Sequence, residues 1–590
     1  MRITLFAAAG AALSLSAVPA LADDAEDFAQ LVADYEAYQA EGDLGRRARE
    51  GDLEAAASWP DISAERAAES AEATQGFYDR LQAIDMDGLR GQDRVSYAVL
   101  NYLLQFTVER VNFQEQRTPF VADSGFFTTP TYAAASTRPR TIEEAEAWIE
   151  RVRHIDDYFD ANVDWMRQGL EAGFTQPRTT AENVVVQLER LNSEEALQTA
   201  FARPLSALPP AAASDEERAR LEADLAEAVS GDALPAYEAL HAFFTEEYIP
   251  GTRESIGISE VPEGREYYQM LVRYHTTLET TPEEVHERGL AEVARIRAEM
   301  EEVIAESGFE GSFAEFLNFL RADPQFYAES EQELLMYAAW ISKRADDAMP
   351  RFFRNLPRLP YGVRAVPASM APTYTTGRYW PGDLENGVAG GYMVNTYDLS
   401  QRPLYTLPAL TVHEGVPGHH HQIALAQEIE DVPQFRRQSY ITAFGEGWGL
   451  YTETLAEDMG LYTTPYERFG KLTYEMWRAC RLVVDTGMHY FGWTQEEAEA
   501  CLLENSALAP HNVRTEVQRY ISWPGQALAY KTGELLMRDL RAEAEAVLQE
   551  DFDIRDFHDT LLSDGAMPLS ALEEKMRGWI ADEDLARQAN

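Results

Sequence analysis

The chain has 590 residues, 45% hydrophobic and 25% charged, enough for one large body or several packed lobes at roughly 150 residues per domain. Its 100 acidic and 50 basic residues give a formal net charge of −50, which repels nucleic acid and anionic lipid and excludes both as partners. The 2 cysteines, Cys480 and Cys501, are too few for a disulfide framework and poor material for a thiolate zinc site.

The first stretch, MRITLFAAAGAALSLSAVPALADD, has one charge at Arg2, an apolar run, and Ala20-Leu21-Ala22 before Asp23. This order predicts a secretory signal peptide over 1–22, cleaved after Ala22, and a periplasmic or secreted mature protein. The apolar run is shorter than the roughly 20 residues of a spanning helix, so no membrane insertion is expected after cleavage. No cysteine follows the small residues, so no lipid anchor is expected either.

Helix-start signals then recur along the chain. Thr141-x-x-Glu144, Ser214-x-x-Glu217, Thr281-x-x-Glu284, Ser312-x-x-Glu315, Thr464-x-x-Glu467 and Thr494-x-x-Glu497 all fit the capping box. In that box a cap hydroxyl and a returning carboxylate each satisfy an orphan backbone N–H. The Pro- and Ala-rich passage at 203–217 reads as a connector between an N-terminal helical region, 23–210, and a second, 211–590, that carries the site as one continuous body. Alternating β pattern is confined to GGYMVNTY, residues 390–397, which follow a long Pro- and Gly-rich passage of the kind that lines or covers a site. The fold expected is mainly α and two-lobed, with a small β element beside the helix that follows.

That helix starts near Thr406, tolerates Pro408 in its first turn, and leads into TVHEGVPGHHHQ, residues 411–422. His413-Glu414 begins like a zinc-protease signature, in which a second histidine four places on faces the same way and the glutamate acts as base. Position 417 is instead Pro417, and the next histidines are His419, His420 and His421. In an unbroken helix His413 and His420 would lie about 10 Å apart along the axis, too far for one ion. Pro417 also cannot donate to carbonyl 413, and its ring clashes there. A detour at Pro417-Gly418 is therefore expected, returning either His419 or His420 to the second ligand position. The other would support the ligand set, with His421 facing solvent. The third ligand is expected from AFGEGWGLYTETLAE, where Glu446 and Glu453 share a face seven residues apart, Glu453 being placed to hold a ligand histidine or to serve as a plain surface carboxylate. Gly445, Gly447 and Gly449 each cost about 1 kcal/mol against alanine in a helix, which predicts close packing there.

HEGVPGHHHQ, FGEGWGLYTE, VVDTGMHYFGWT and RYISWPGQALAYKTGE together resemble the bacterial domain-of-unknown-function family numbered 885, grouped with the gluzincin metallopeptidases. The resemblance extends over most of the mature chain and implies a metallopeptidase-like fold holding one zinc ion. GEGWGLYTE is also similar to the helix of aminopeptidase N relatives whose glutamate is the third zinc ligand, which carries to Glu446. Dipeptidyl peptidase III offers a precedent for a lengthened motif. This chain departs from the standard spacing, which leaves His419 and His420 as alternatives.

The roles that follow are expectations. Glu414 is the general base that takes a proton from the attacking water. His489, Tyr520 and Tyr530, in motif-like stretches after the metal helices, are candidate donors to the oxyanion. Arg519 or Lys531 would hold a substrate carboxylate, and the strand bearing Tyr392 and Asn395 would pair with extended peptide at its edge. The function expected is an exported zinc-dependent metallopeptidase acting on short or unfolded peptides. A zinc hydrolase of another amide or ester, and an inactive peptide-binding relative, are the alternatives.

Overall fold

A computed structural model describes residues 24–589, apart from Ser369 and Glu385. The expected signal peptide lies outside the described residues. The described residues are mainly helical with one three-stranded sheet. Both halves of the capping box form at Ser214, Thr281, Ser312, Thr464 and Thr494. At Thr141 the hydroxyl caps the helix, but the Glu144 carboxylate turns to the backbone N–H and guanidinium of Arg140. Among the described residues no helix is long and apolar enough to cross a membrane.

The boundary expected at 210/211 is corrected by the packing. Phe120, Trp148, Phe159, Phe201, Tyr237 and Tyr248 belong to one core that runs through it, and Leu205, Leu208 and Ala213 of the supposed connector are buried in that core. Prolines are compatible with this because Pro204 stands in the first turn of helix Arg203–Ala207, where no N–H is needed. Phe28, Leu31, Leu100 and Leu104 pack instead with Trp448, Tyr451, Leu540 and Phe557, so the first helices belong to the body that carries the site.

The sheet consists of β1 (Tyr361–Ala365), β2 (Gly377–Trp380) and β3 (Gly390–Val394) in the order β1-β3-β2, with β1 parallel and β2 antiparallel to β3. The expected substrate strand is thus the central one, paired on both sides and buried along its length. Tyr392 is 0% exposed and its hydroxyl lies 3.2 Å from Thr411 Oγ1. Asn395, also sealed, donates to the carbonyls of Ala371, Tyr374 and Thr375. Neither can touch substrate, and the free edge beside the site belongs to β2.

Helices α1 (Pro282–Ser307), α2 (Leu407–Glu414), α3 (His419–Gln427), α4 (Thr442–Asp458), α5 (Pro465–His489), α6 (Pro510–Ser522) and α7 (Ala529–Leu548) frame the site. Buried charges tie α1, α5 and α7 together: Lys531 Nζ lies 2.7 Å from Glu534, 2.9 Å from Glu475 and 3.2 Å from Glu292. Lys531 is therefore a paired core lysine and not the substrate contact expected, since a buried ammonium persists only with such partners. Cys480 and Cys501 stand as free thiols with their Sγ atoms 2.9 Å apart.

On α5, Asp485 is fully buried and accepts from Tyr268 Oη at 2.6 Å and from Gly525 N at 2.9 Å through the same oxygen. Burial raises its pKa from 3.8 to about 7, more than those two hydrogen bonds lower it. The folded state thus favours the neutral acid. Its contribution is complete below about pH 4 and is lost as pH rises through 7, to a total of about 4 kcal/mol. Asp485→Asn is expected to raise the melting temperature at pH 8 and to change it little at pH 4. A melting difference that stays constant across this range would show that the carboxyl does not titrate in the fold.

Candidate metal centre

The detour at the proline takes a definite form. Helix α2 has Thr406 as its N-cap residue and Pro408 in its first turn, and it stops at Glu414. The backbone N–H of Gly418 returns to Val412 O at 2.9 Å, and α3 then begins at His419. Gly418 is required by close approach: a Cβ there would lie 2.0 Å from His413 O and 2.4 Å from Val412 O. Trp448 of α4 clamps the loop by donating to Pro417 O at 2.8 Å.

This loop brings His413, His419 and Glu446 together, with one ligand atom from each lying within 4.8 Å of the others. Glu446 Oε2 is 3.5 Å from His413 Nε2 and 3.5 Å from His419 Nε2. Two atoms each about 2.1 Å from an ion lie about 3.4 Å apart at a tetrahedral angle, so the residues fit a zinc ion with a position left open. Burial works against the Glu446 carboxylate, but the two imidazoles outweigh it and hold its pKa well below the ordinary value. Burial likewise disfavours the His413 cation, yet Glu446 and Glu453 raise its pKa from 6.5 to about 10. An environment that holds a proton this firmly also favours a dication.

Supporting contacts surround the three residues. Glu453, 1% exposed, places Oε1 2.9 Å from His413 Nδ1, fixing the ring from behind. The Gln422 amide lies 2.8 Å from His419 Nδ1 and donates to Gly445 O. Glu414, 7% exposed, accepts from the backbone N–H of Tyr379 at 2.7 Å. Tyr440 donates to Glu446 Oε1 at 3.2 Å. Its side chain is 51% exposed, although burial pushes its hydroxyl's pKa well up. Both hold when a ring lines a concave cleft, open to solvent and surrounded by protein. Gln422, Tyr379 and Tyr440 carry no motif signal that marks them in the sequence, apart from the position of Gln422 three residues after His419.

The glycines of α4 each make room for a specific neighbour. A Cβ on Gly445 would meet Tyr440 Oη at 2.5 Å, one on Gly447 would meet the Gly533 Cα of α7 at 2.5 Å, and one on Gly449 would meet the His413 ring at 2.8 Å.

Other expectations are corrected. His420 lies outside the ligand cluster, with Nδ1 3.0 Å from Tyr379 Oη and its ring against Tyr361, and burial lowers its pKa to about 4. It braces the strand whose N–H holds Glu414. His421 is 0% exposed and packs on Phe353, so it does not face solvent. His489 accepts from Ile258 N and donates to Tyr520 O, which occupies both nitrogens. Tyr520, 1% exposed, accepts from Trp477 Nε1 and Arg481 Nε. Neither can serve as an oxyanion donor, because each is enclosed by internal partners. Tyr530 is partly buried, with Arg481 Cζ 4.3 Å from its ring centre, and it lies near enough to Tyr440 to add to the rise in that hydroxyl's pKa.

The whole fold is shared with known structures. The crystal structure of a protein from Colwellia psychrerythraea described as a candidate lipoprotein superposes with a TM-score of 0.85 at 27% identity, over 94% of this chain and 99% of that one. A second, from Shewanella oneidensis and described as a candidate lipoprotein of unknown function, gives a TM-score of 0.71 at 17% identity over 93% and 99%, a likeness of fold alone. No curated protein matches the chain. The family described as bacterial protein of unknown function (DUF885) matches residues 42–576, and the chain belongs to that family.

Proposed function

We propose that this chain is an exported zinc-dependent metallopeptidase acting on short or unfolded peptides, with a metallopeptidase-like fold around one zinc ion. The observation that carries the reading is the convergence of His413, His419 and Glu446, with Glu414 adjacent in sequence and close enough to Tyr440 to help raise that hydroxyl's pKa. Export is supported by the expected signal peptide and by the description of the two similar structures as candidate lipoproteins.

His413, His419 and Glu446 would hold the ion, which when bound polarises a substrate carbonyl and makes water a stronger nucleophile near neutral pH. Glu414 takes the proton of the attacking water and passes it to the leaving amine. Its carboxylate is oriented for this by the Tyr379 N–H. Tyr530, beside Tyr440 whose own O–H is given to Glu446, supplies a hydroxyl donor to the developing oxyanion, the part the enclosed His489 and Tyr520 cannot play. Because the Thr376 carbonyl accepts from Asn395 N on the β3 side, alternation turns the Gly377 backbone groups and the Tyr379 carbonyl outward, where extended peptide can align beside the Tyr379 N–H that holds Glu414.

Metal analysis of the purified protein is expected to find about one zinc per chain. Removing it with a chelator should abolish peptide hydrolysis, and zinc alone should restore it. A preparation that takes up no zinc, or that hydrolyses peptides equally well without it, would rule the reading out. Hydrolysis confined to small amides or esters would move it to another class of zinc hydrolase.

A further inference from the structure

Positive charge is scarce in this chain, yet three arginines gather beside the candidate metal centre. Arg478 and Arg481 stand one turn apart on α5. Arg478 Nη2 faces Glu453 at 3.8 Å and so belongs to the support of His413. Arg481 is turned the other way. Its side chain is 4% exposed, with Nη2 3.2 Å from Glu516 Oε2 and Nε donating to Tyr520 Oη at 2.8 Å. Arg481 Nη1 is buried and has no hydrogen-bond partner among the described residues. Arg519 of α6 is more open, its side chain 22% exposed, and its Nη2 lies 3.3 Å from the same Glu516 oxygen while Nη1 donates to Gln526 Oε1 at 2.8 Å.

Two guanidiniums therefore share the Glu516 carboxylate, and while burial keeps the nearby Asp485 neutral they hold an excess of one positive charge, in a chain whose formal net charge is −50. A buried guanidinium N–H without an acceptor is costly, and the missing partner it calls for is an anion. One excess charge matches a carboxylate, which takes paired N–H groups from arginine in its own plane, better than a phosphate of nearly two charges. The position is equally informative. Tyr530 has Arg481 on its ring face at 4.3 Å and lies near enough to both Arg519 and Tyr440 to be felt by each, and the Tyr440 hydroxyl bonds the Glu446 carboxylate. The arginine pair is thus linked to the centre through two neighbouring tyrosines.

We infer that Arg519, with Arg481 behind it, binds the C-terminal carboxylate of a peptide whose scissile bond lies at the His413–His419–Glu446 centre, so that the enzyme trims peptides from their C-terminus. This rests on the peptidase reading for the cleavage step, but the carboxylate pocket can be tested apart from it.

The probes are one short peptide as its free acid, the same peptide amidated, and an amidated version carrying an Asp side chain near its end. Binding is measured by calorimetry to the zinc-loaded full-length Glu414→Gln protein, and hydrolysis separately with the unaltered enzyme. The free acid is expected to bind at least about tenfold tighter than either amide. Arg519→Ala should abolish that preference, and Arg519→Lys should restore part of it. Equal binding of acid and amide, or of the Asp-bearing amide, overturns the inference whatever the enzyme cleaves. If the Arg519-dependent preference is present but no peptide is cleaved, the pocket stands and the peptidase reading falls. If acid and amide are cleaved equally well, the peptidase reading stands and the pocket falls.

Discussion

For the zinc peptidase proposed above, Glu414→Gln is expected to retain bound zinc and lose about 10³–10⁴-fold in kcat, the upper range for removal of a general base. The structure separates the two properties. The ligand cluster is His413, His419 and Glu446, and Glu414 is outside it. Its own hydrogen bond is to the Tyr379 N–H at 2.7 Å, which an amide oxygen in the same place can still accept. The substitution therefore preserves shape, metal and strand contact, and removes only the proton acceptor. Metal content and steady-state kinetics on one peptide decide the matter. Turnover within tenfold of the unaltered enzyme, with zinc retained, would take the base role away from this residue. Loss of zinc would mean that Glu414 belongs to the ligand set after all.

The second large effect is expected from two neighbouring glycines, with opposite consequences. A Cβ on Gly449 would lie 2.8–3.1 Å from three atoms of the His413 ring. That ring is fixed by Glu453 on one nitrogen and faces Glu446 with the other, so it can yield only by leaving its place in the ligand triangle. Gly449→Ala should weaken zinc binding about 10–100-fold, the range seen when groups that orient ligands are altered, and leave the metal-free protein folded. Gly447→Ala places its Cβ 2.5 Å from the Gly533 Cα, backbone of α7 that cannot swing aside. Helices α4 and α7 must separate, at a cost of about 3 kcal/mol. The readouts are metal affinity by competition with a chromogenic chelator and melting temperature of the metal-free protein. Equal effects of both variants on both measurements would contradict the packing described.

Much of the site is legible in the sequence, because much of its logic is local. His413-Glu414 sits at the end of a helix that the sequence starts at Thr406, and the missing N–H of Pro417 forbids that helix from continuing. Glu446 and Glu453 lie seven residues apart and so share a face of α4, one meeting the ligand cluster and the other His413 from behind. The expected site residues that the fold encloses share one feature, a polar, ionisable or aromatic side chain in a distinctive stretch of sequence. His489, Tyr520, Tyr392, Asn395 and Lys531 all satisfy buried partners. Residue type suggests chemistry, whereas access to solvent and to the cleft depends on helices that are distant in the chain. Tyr440 was overlooked for the converse reason, since only the packing of its loop against α4 brings it to Glu446.

The sequence by itself determined the helical character, the helix starts, the need for a break at Pro417 and the residue types able to hold zinc. These follow from hydrogen bonds and steric rules acting within a turn or two of backbone. Only the tertiary structure places His419, and not His420, beside His413 and Glu446. Consecutive residues on a helix point about 100° apart, so the choice rests on where α3 begins, and that is set by Gly418 reaching back to Val412 and by Trp448 clamping Pro417 from another helix. Tertiary packing likewise decided which strand has a free edge and that Arg481 keeps Nη1 unpartnered among the described residues, since both depend on neighbours that no local pattern specifies.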